Sequence, residues 1–353
     1  MAPEAFDPAQ ARRAMRRGLV SIGIGTALIA VALVGVANSD LGAEALADLR
    51  HAARPGYLVA SWAVISLAFY FMGLRWRALM PPPHHPPSAG LASIVCAGLL
   101  LNYAVPGPFG ELAAAWFAHK RYRVPLADAL ATGVGARLIG LATAAVMALC
   151  IWAVVDLPPP AEKGEFLAQA NALIPIAAVS IGAGGVVLFW LALRPGWWRR
   201  LSAQTLGRWP GDGRAAVLAR KVDGAVAALA SALARTATRG LRAYAETAGW
   251  ALVGHSAVIT GITLAAWGLG AEAHIGGVAF TYAATTAGAV ALFAFPGSQV
   301  GWDLMFFSLM VAAAGLSAPV AGAIAVLVRL QQLSMMVLGG LTLSWLLQTT
   351  PDQ

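Results

Sequence analysis

The chain has 353 residues, of which 59% are hydrophobic and 11% charged, with a formal net charge of +8. Soluble domains carry about 25% charged residues, so this balance excludes an ordinary soluble enzyme and predicts an integral membrane protein. Its apolar stretches reach the roughly 18 residues a membrane-crossing helix needs, and the short alternating segments of an outer-membrane barrel are absent. The predicted fold class is therefore an all-α polytopic helix bundle, because only helices and closed barrels satisfy their backbone groups in lipid.

In chain order, residues 1–17 form a basic tail with Arg12, Arg13, Arg16 and Arg17, and the first span covers about 18–37. Residues 38–55 mix Asp40, Glu44 and Asp48 with leucines, the pattern of an interfacial helix. A second span, 56–74, is expected to end at Arg75 and Arg77. The proline-rich connector 81–87 contains His84 and His85. With no carboxylate or cysteine near them, these read as loop residues and not as metal ligands. The apolar run 88–119 is interrupted in its middle and closed by the basic cluster His119, Lys120, Arg121 and Arg123. A long span, 124–155, carries Arg137, and the loop 156–165 carries Asp156, Glu162 and Glu165.

Residues 166–193 are expected to span again, completing an N-terminal transmembrane half at 18–193. The insert 194–242 is rich in Lys and Arg and has an amphipathic pattern flanked by Trp197, Trp198 and Trp209. It reads as a surface helix meeting anionic headgroups, or as a docking site for a cytoplasmic protein; nucleic acid is not an expected partner. The C-terminal half, 243–348, holds a span at 245–269, a second interrupted run at 276–315 and a last span at 320–347 carrying Arg329. His255 lies in an apolar span, where a histidine usually bonds a neighbouring helix. Cys96 and Cys150 read as small core residues, with no disulfide or zinc framework and no cofactor implied.

Most of the 24 Lys and Arg fall on one side if both termini are cytoplasmic and each interrupted run returns to the side it entered. The positive-inside rule then predicts a bacterial-type inner membrane protein with cytoplasmic N- and C-termini.

The two interruptions are alike. The first, Asn102-Tyr-Ala-Val-Pro-Gly-Pro-Phe-Gly-Glu111, breaks the run at Pro106, Gly107, Pro108 and Gly110; the second, Phe295-Pro-Gly-Ser-Gln-Val-Gly-Trp-Asp303, at Pro296, Gly297 and Gly301. Aligning Arg137 on Arg329 places Glu111 on Asp303, with acid and arginine 26 positions apart in each half. Under the predicted topology the two units are upside down relative to each other. Inverted repeats with paired broken helices are the sequence sign of a transporter-like architecture. Backbone breaks at membrane depth must face protein or water, and each buried charge costs about 2.5–3.5 kcal/mol on insertion scales. Pairing Glu111 with Arg137 and Asp303 with Arg329, or crosswise, relieves that cost. Arginine also suits bidentate contact with phosphate. The candidate substrate-binding set is Arg137, Arg329, Glu111, Asp303, Asn102 and Gln299.

Pro106-Gly-Pro-Phe-Gly-Glu111 resembles the Pro-Gly-x-x-Gly-Glu motif of the lysylphosphatidylglycerol synthase transmembrane family, the flippase-like domains of multiple peptide resistance factors and many stand-alone relatives. Arg137 is similar to that family's arginine in the next helix, and residues 296–303 to its second motif, Pro-Gly-Gly-x-Gly-x-x-Glu. The chain departs at Ser298, Val300, Gly301 and Asp303, and Ala136 and Gly140 stand where acids often flank the family's arginine. The resemblance implies a stand-alone member that handles a membrane lipid, without the soluble aminoacyl-transferase domain, so aminoacylation is not expected. The expected function is a lipid flippase or transporter for a phosphate-bearing or otherwise polar headgroup. A membrane-embedded lipid-linked transferase, or a membrane anchor for a cytoplasmic enzyme, is the alternative.

Overall fold

The computed structural model describes residues 51–158 apart from 82–83 and 105–108, residues 194–205, scattered positions within 206–239, and residues 240–348 apart from 293–297. The basic tail, the first predicted span, most of the interfacial segment, and the predicted span 166–193 lie outside the described residues.

The described segments are helical. They run α1 (Pro55–Leu79), α2 (Ser88–Ala104), α3 (Phe109–Tyr122), α4 (Leu126–Val154), α5 (Pro195–Thr205), α6 (Gly240–Gly268), α7 (Ile275–Leu292), α8 (Ser298–Ala312) and α9 (Ala318–Gln348). Four are long and apolar enough to cross a membrane: α1, α4, α6 and α9. They are apolar around much of their circumference, as helices surrounded by lipid and by one another must be. The intervening α2–α3 and α7–α8 pairs are shorter, with 17, 14, 18 and 15 residues. At 1.5 Å per residue they measure about 21–27 Å, less than the roughly 30 Å hydrocarbon core.

Helices α1 and α6 form the central contact and run antiparallel. Leu58 meets Gly268, Ile65 meets Gly261, and Phe71 meets Gly254 and stacks on Trp250 at 6.0 Å. Glycines allow this because a membrane offers no hydrophobic force between helices. Close backbone approach and interhelical hydrogen bonds must supply the attraction instead. The Ser61 hydroxyl accordingly donates to the Gly261 carbonyl at 2.7 Å. A Cβ on Gly261 would strike Ile65. Gly261→Leu is therefore expected to destabilise the bundle by about 1–3 kcal/mol through overpacking. Thermal melting in detergent would read the loss, with Gly249→Ala as a control because a Cβ there meets nothing within 4 Å.

Each short pair is an antiparallel helical hairpin. In the first, Gly90 meets Tyr122 at the base and Gly98 meets Gly110 near the tip. In the second, Gly277 meets Ala313, and Thr281 Oγ1 donates to the Leu309 carbonyl at 3.0 Å. The bases lie toward opposite ends of α1 and α4. Gly73 near the end of α1 meets Ser88 and Ala92 of the first hairpin, whereas Gly276 of the second meets Val155 at the end of α4.

The packing pattern maps onto itself when α1–α2–α3–α4 is exchanged for α6–α7–α8–α9. The α2–α9 contact becomes α7–α4, the hairpins interchange, and the α3–α4 contact becomes α8–α9. One apolar cluster gathers around Ile65, Ile262, Phe306 and Ile324, another around Trp76, Leu91, Ile94 and Ile139.

Two boundaries differ from the sequence reading. Helix α1 continues through Arg75 and Arg77 to Leu79, where a span ending at Leu74 was expected, and α6 starts at Gly240, before residue 245. Trp76 and Leu79 are buried, so packing extends α1 past the point where charge suggests an end. The described end of the basic insert is tied to the bundle. Arg235 donates to Asp128 Oδ1 from Nη2 at 2.5 Å and from Nε at 3.2 Å, and Arg239 Nη1 donates to the Met80 carbonyl.

Candidate functional site

Glu111 stands in the first turn of α3, where the free backbone N–H groups of a helix start favour negative charge. Asn102, in the last turn of α2, faces it across the hairpin. Its Oδ1 accepts from the Gly110 N–H at 2.7 Å, and its Nδ2 donates to both Glu111 oxygens at 3.2 Å. One amide thus caps α3 and orients its carboxylate. Glu111 in turn pairs with Arg137 Nη1 on α4. The close approach of Gly98 to Gly110 permits this geometry, since a Cβ on either would strike the facing backbone. Asn102→Ala removes the cap and the carboxylate's orienting donor. The expected loss is about 1–2 kcal/mol, read as a lower melting temperature in detergent.

The second half builds a related arrangement. Arg329 on α9 donates from Nε to Asp303 Oδ1 at 2.6 Å and from Nη1 to Gln332 Oε1 at 2.8 Å. Its guanidinium lies 4.6 Å from the Trp302 ring centroid, and Trp302 stacks on Phe306 at 4.8 Å. The pairing therefore stays within each half, acid of the hairpin to arginine of the next helix, and not crosswise. Arg329 is the more enclosed cation, its side chain 7% exposed against 26% for Arg137.

Both arginines border one cavity of about 270 Å³ between the two apolar clusters. Asn102, Gly110 and Glu111 lie on its wall, as do Arg75, His255, Tyr282, Trp302 and Gln332. Asp303 is not on the wall and reaches the cavity only through Arg329. Gln299 and Gly301 belong to α8, and nothing is described of the Gln299 side chain. The breaks at Pro106, Gly107, Pro108, Pro296 and Gly297 lie outside the described residues.

His255 joins three helices at the wall. It bonds from Nε2 to the Gly140 carbonyl at 2.9 Å and from Nδ1 to the Tyr282 hydroxyl at 3.1 Å. The imidazole tautomer that suits both is Nε2–H donating to the carbonyl, with Nδ1 accepting from Tyr282. This is the interhelical bonding role expected of a histidine in an apolar span.

Sequence reasoning missed Arg75. The sequence places it just past the end of a span, but its guanidinium packs on Gly140 in the middle of α4 and lines the cavity. The physical reason is the direction of helical side chains, which lean toward the helix N-terminus. On α1 that is away from the nearby C-terminal end and into the bundle. Gln332 was also missed, although two glutamines beside Arg329 in an apolar run were a readable signal. Among the described residues no group of three or more His, Cys, Asp or Glu side chains could hold a metal ion.

A membrane-embedded cavity with arginines from both halves, each met by an acid from a hairpin, is the setting in which the sequence motifs acquire meaning. The family model for the lysylphosphatidylglycerol synthase TM region matches residues 19–340. The chain belongs to that family. It is a multi-pass helical membrane protein of a lipid-handling family. Comparisons with curated proteins and with solved structures return no match.

Proposed function

We propose that this family member is a lipid flippase or transporter, not an enzyme, and that it moves a phosphate-bearing lipid across a bacterial-type inner membrane. The observation that carries the reading is that Arg137 and Arg329, one from each half, face a single cavity inside the spanning bundle. A headgroup entering there meets guanidinium groups able to form paired, charge-assisted bonds to phosphate oxygens. Its acyl chains stay in lipid. Glu111 and Asp303 neutralise the arginines while the cavity lacks an anion, and Asn102 and Gln332 keep the two sites in register.

In this reading the two halves are inverted repeats and the hairpins are re-entrant. Three observations support it: the antiparallel α1–α6 contact, the exchange symmetry of the packing, and hairpin bases directed to opposite ends of α1 and α4. Helices of 14 and 15 residues are also too short to cross fully. Rocking of one hairpin against the other would open the cavity to alternate sides. The basic insert, tied to α1 and α4 through Arg239 and Arg235, would lie on the cytoplasmic surface against anionic headgroups.

The test is a headgroup-accessibility assay in reconstituted vesicles. Wild type is expected to speed transbilayer movement of a labelled phospholipid, and Arg137→Ala to abolish most of that gain. Equal rates in protein-free, wild-type and mutant vesicles would sink the proposal.

A further inference from the structure

The charges on the cavity wall do not balance. Arg137 is met by Glu111 and Arg329 by Asp303. Arg75 makes no hydrogen bond or ion pair among the described residues, and its Nε is fully enclosed with no hydrogen-bond partner. Around it stand the Gly140 backbone, the Tyr282 hydroxyl, the already bonded His255 and the Arg137 cation. None supplies a negative charge. A guanidinium inside a membrane bundle is costly unless something pairs with it, and Arg75 has a cavity in front of it and no counter-ion among the described residues. Nor does the other half repeat it: α6, the exchange partner of α1, carries no Lys or Arg beyond Arg242, near its start.

We infer that Arg75 is the anion-selecting residue of the cavity and that the ligand it selects is a headgroup of net charge −1, a phosphodiester without a compensating cation. The inference rests on the transporter reading above and narrows its substrate class. One uncompensated guanidinium is neutralised by one phosphodiester. A zwitterionic headgroup brings a second cation toward Arg75 and Arg137, and a phosphate monoester brings a surplus negative charge. Arg75 thus binds the incoming phosphate directly, whereas Arg137 and Arg329 must first be released in part from their acids.

The experiment reads binding as well as movement. Wild type, Arg75→Gln, Arg75→Lys and Gly140→Ala are reconstituted in vesicles holding equal phosphatidylglycerol and phosphatidylcholine. The lipid retained after re-extraction is then quantified by mass spectrometry. Gly140→Ala keeps every charge but pushes the Arg75 guanidinium aside, because a Cβ there overlaps its Nη1, the mobile end of a long side chain. It tests the inference if Arg75→Gln does not fold. Wild type is expected to enrich the anionic lipid. Arg75→Gln should lose about tenfold of that enrichment, the worth of one hydrogen bond to a charged group, Gly140→Ala should lose part, and Arg75→Lys should retain most.

Equal anionic-to-zwitterionic ratios in wild type, Arg75→Gln and Gly140→Ala overturn the inference, whatever the movement assay gives. A parallel arm adds soluble glycerophosphoglycerol. Arg75-dependent binding of that solute, with no Arg75-dependent lipid enrichment, keeps the anion site but overturns a lipid as its source. It is then the functional reading that fails. Arg75-dependent enrichment in a protein that moves no lipid likewise upholds the selectivity and overturns transport.

Discussion

Arg329→Ala is expected to lower the stability of the protein by about 3–5 kcal/mol, the cost of leaving one member of a buried ion pair without its partner. The side chain is buried, donates to Asp303 and Gln332, and lies over Trp302, so truncation strands a carboxylate and an amide and empties a stacked site. Asp303→Ala should cost nearly as much, because it leaves an enclosed guanidinium facing an aromatic ring. The informative comparison is the double variant Asp303→Leu with Arg329→Met. Removing both charges together avoids the stranded ion, and apolar replacements of similar volume are often neutral or stabilising. The double variant should therefore recover most of the melting temperature lost by either single one. If the pair also serves substrate, lipid movement should stay low in the stable double variant. Full recovery of movement would make the pair purely structural.

The second large effect is expected at the other pair, with opposite signs for its two members. In the proposed function, Glu111, which pairs with Arg137, would compete with an incoming phosphate for it. Two unit charges about 4 Å apart interact by about 4 kcal/mol at an effective dielectric near 20, so removing the competitor matters even if only part of that is recovered. Glu111→Gln keeps the shape of the side chain and its bond to Asn102 and frees Arg137. Retention of anionic lipid should rise, on the order of tenfold for each 1.4 kcal/mol released, and turnover should slow because release becomes harder. Arg137→Gln should lower both retention and movement. A structural ion pair alone predicts something else: two variants with similar losses of melting temperature and unchanged lipid ratios. Quantifying co-purified lipid alongside melting curves separates the two cases.

Parts of the site were legible because they are local in sequence or follow from energetics. The equal spacing of Glu111 to Arg137 and Asp303 to Arg329 left two pairings open, and the three-dimensional packing chose the one within each half. Gly110 was read as a backbone break. Its structural task is to let α3 approach Gly98 and to present its N–H to Asn102. The spacing of glycines gave no hint of that, because close approach depends on which helix stands opposite. Arg75 shows the limit most clearly. A cation four residues before a helix end normally reaches out to water, and only the meeting of α1 with the glycine face of α4 turns this one inward.

Composition and apolar run lengths alone determined that this is a helical membrane protein, since lipid admits few ways to satisfy a backbone. The two Pro-Gly breaks, with acid and arginine at fixed distances, determined where the polar centre would lie, because unpaired charge at membrane depth is too costly to be incidental. Only the tertiary structure decided that both arginines share one cavity, that His255 ties Gly140 to Tyr282, and that a third guanidinium faces the cavity with no counter-ion among the described residues. Those facts depend on which helix faces which. In a bundle whose helices are apolar on nearly every side, that choice is made by small-residue contacts between distant segments, and no local pattern encodes it.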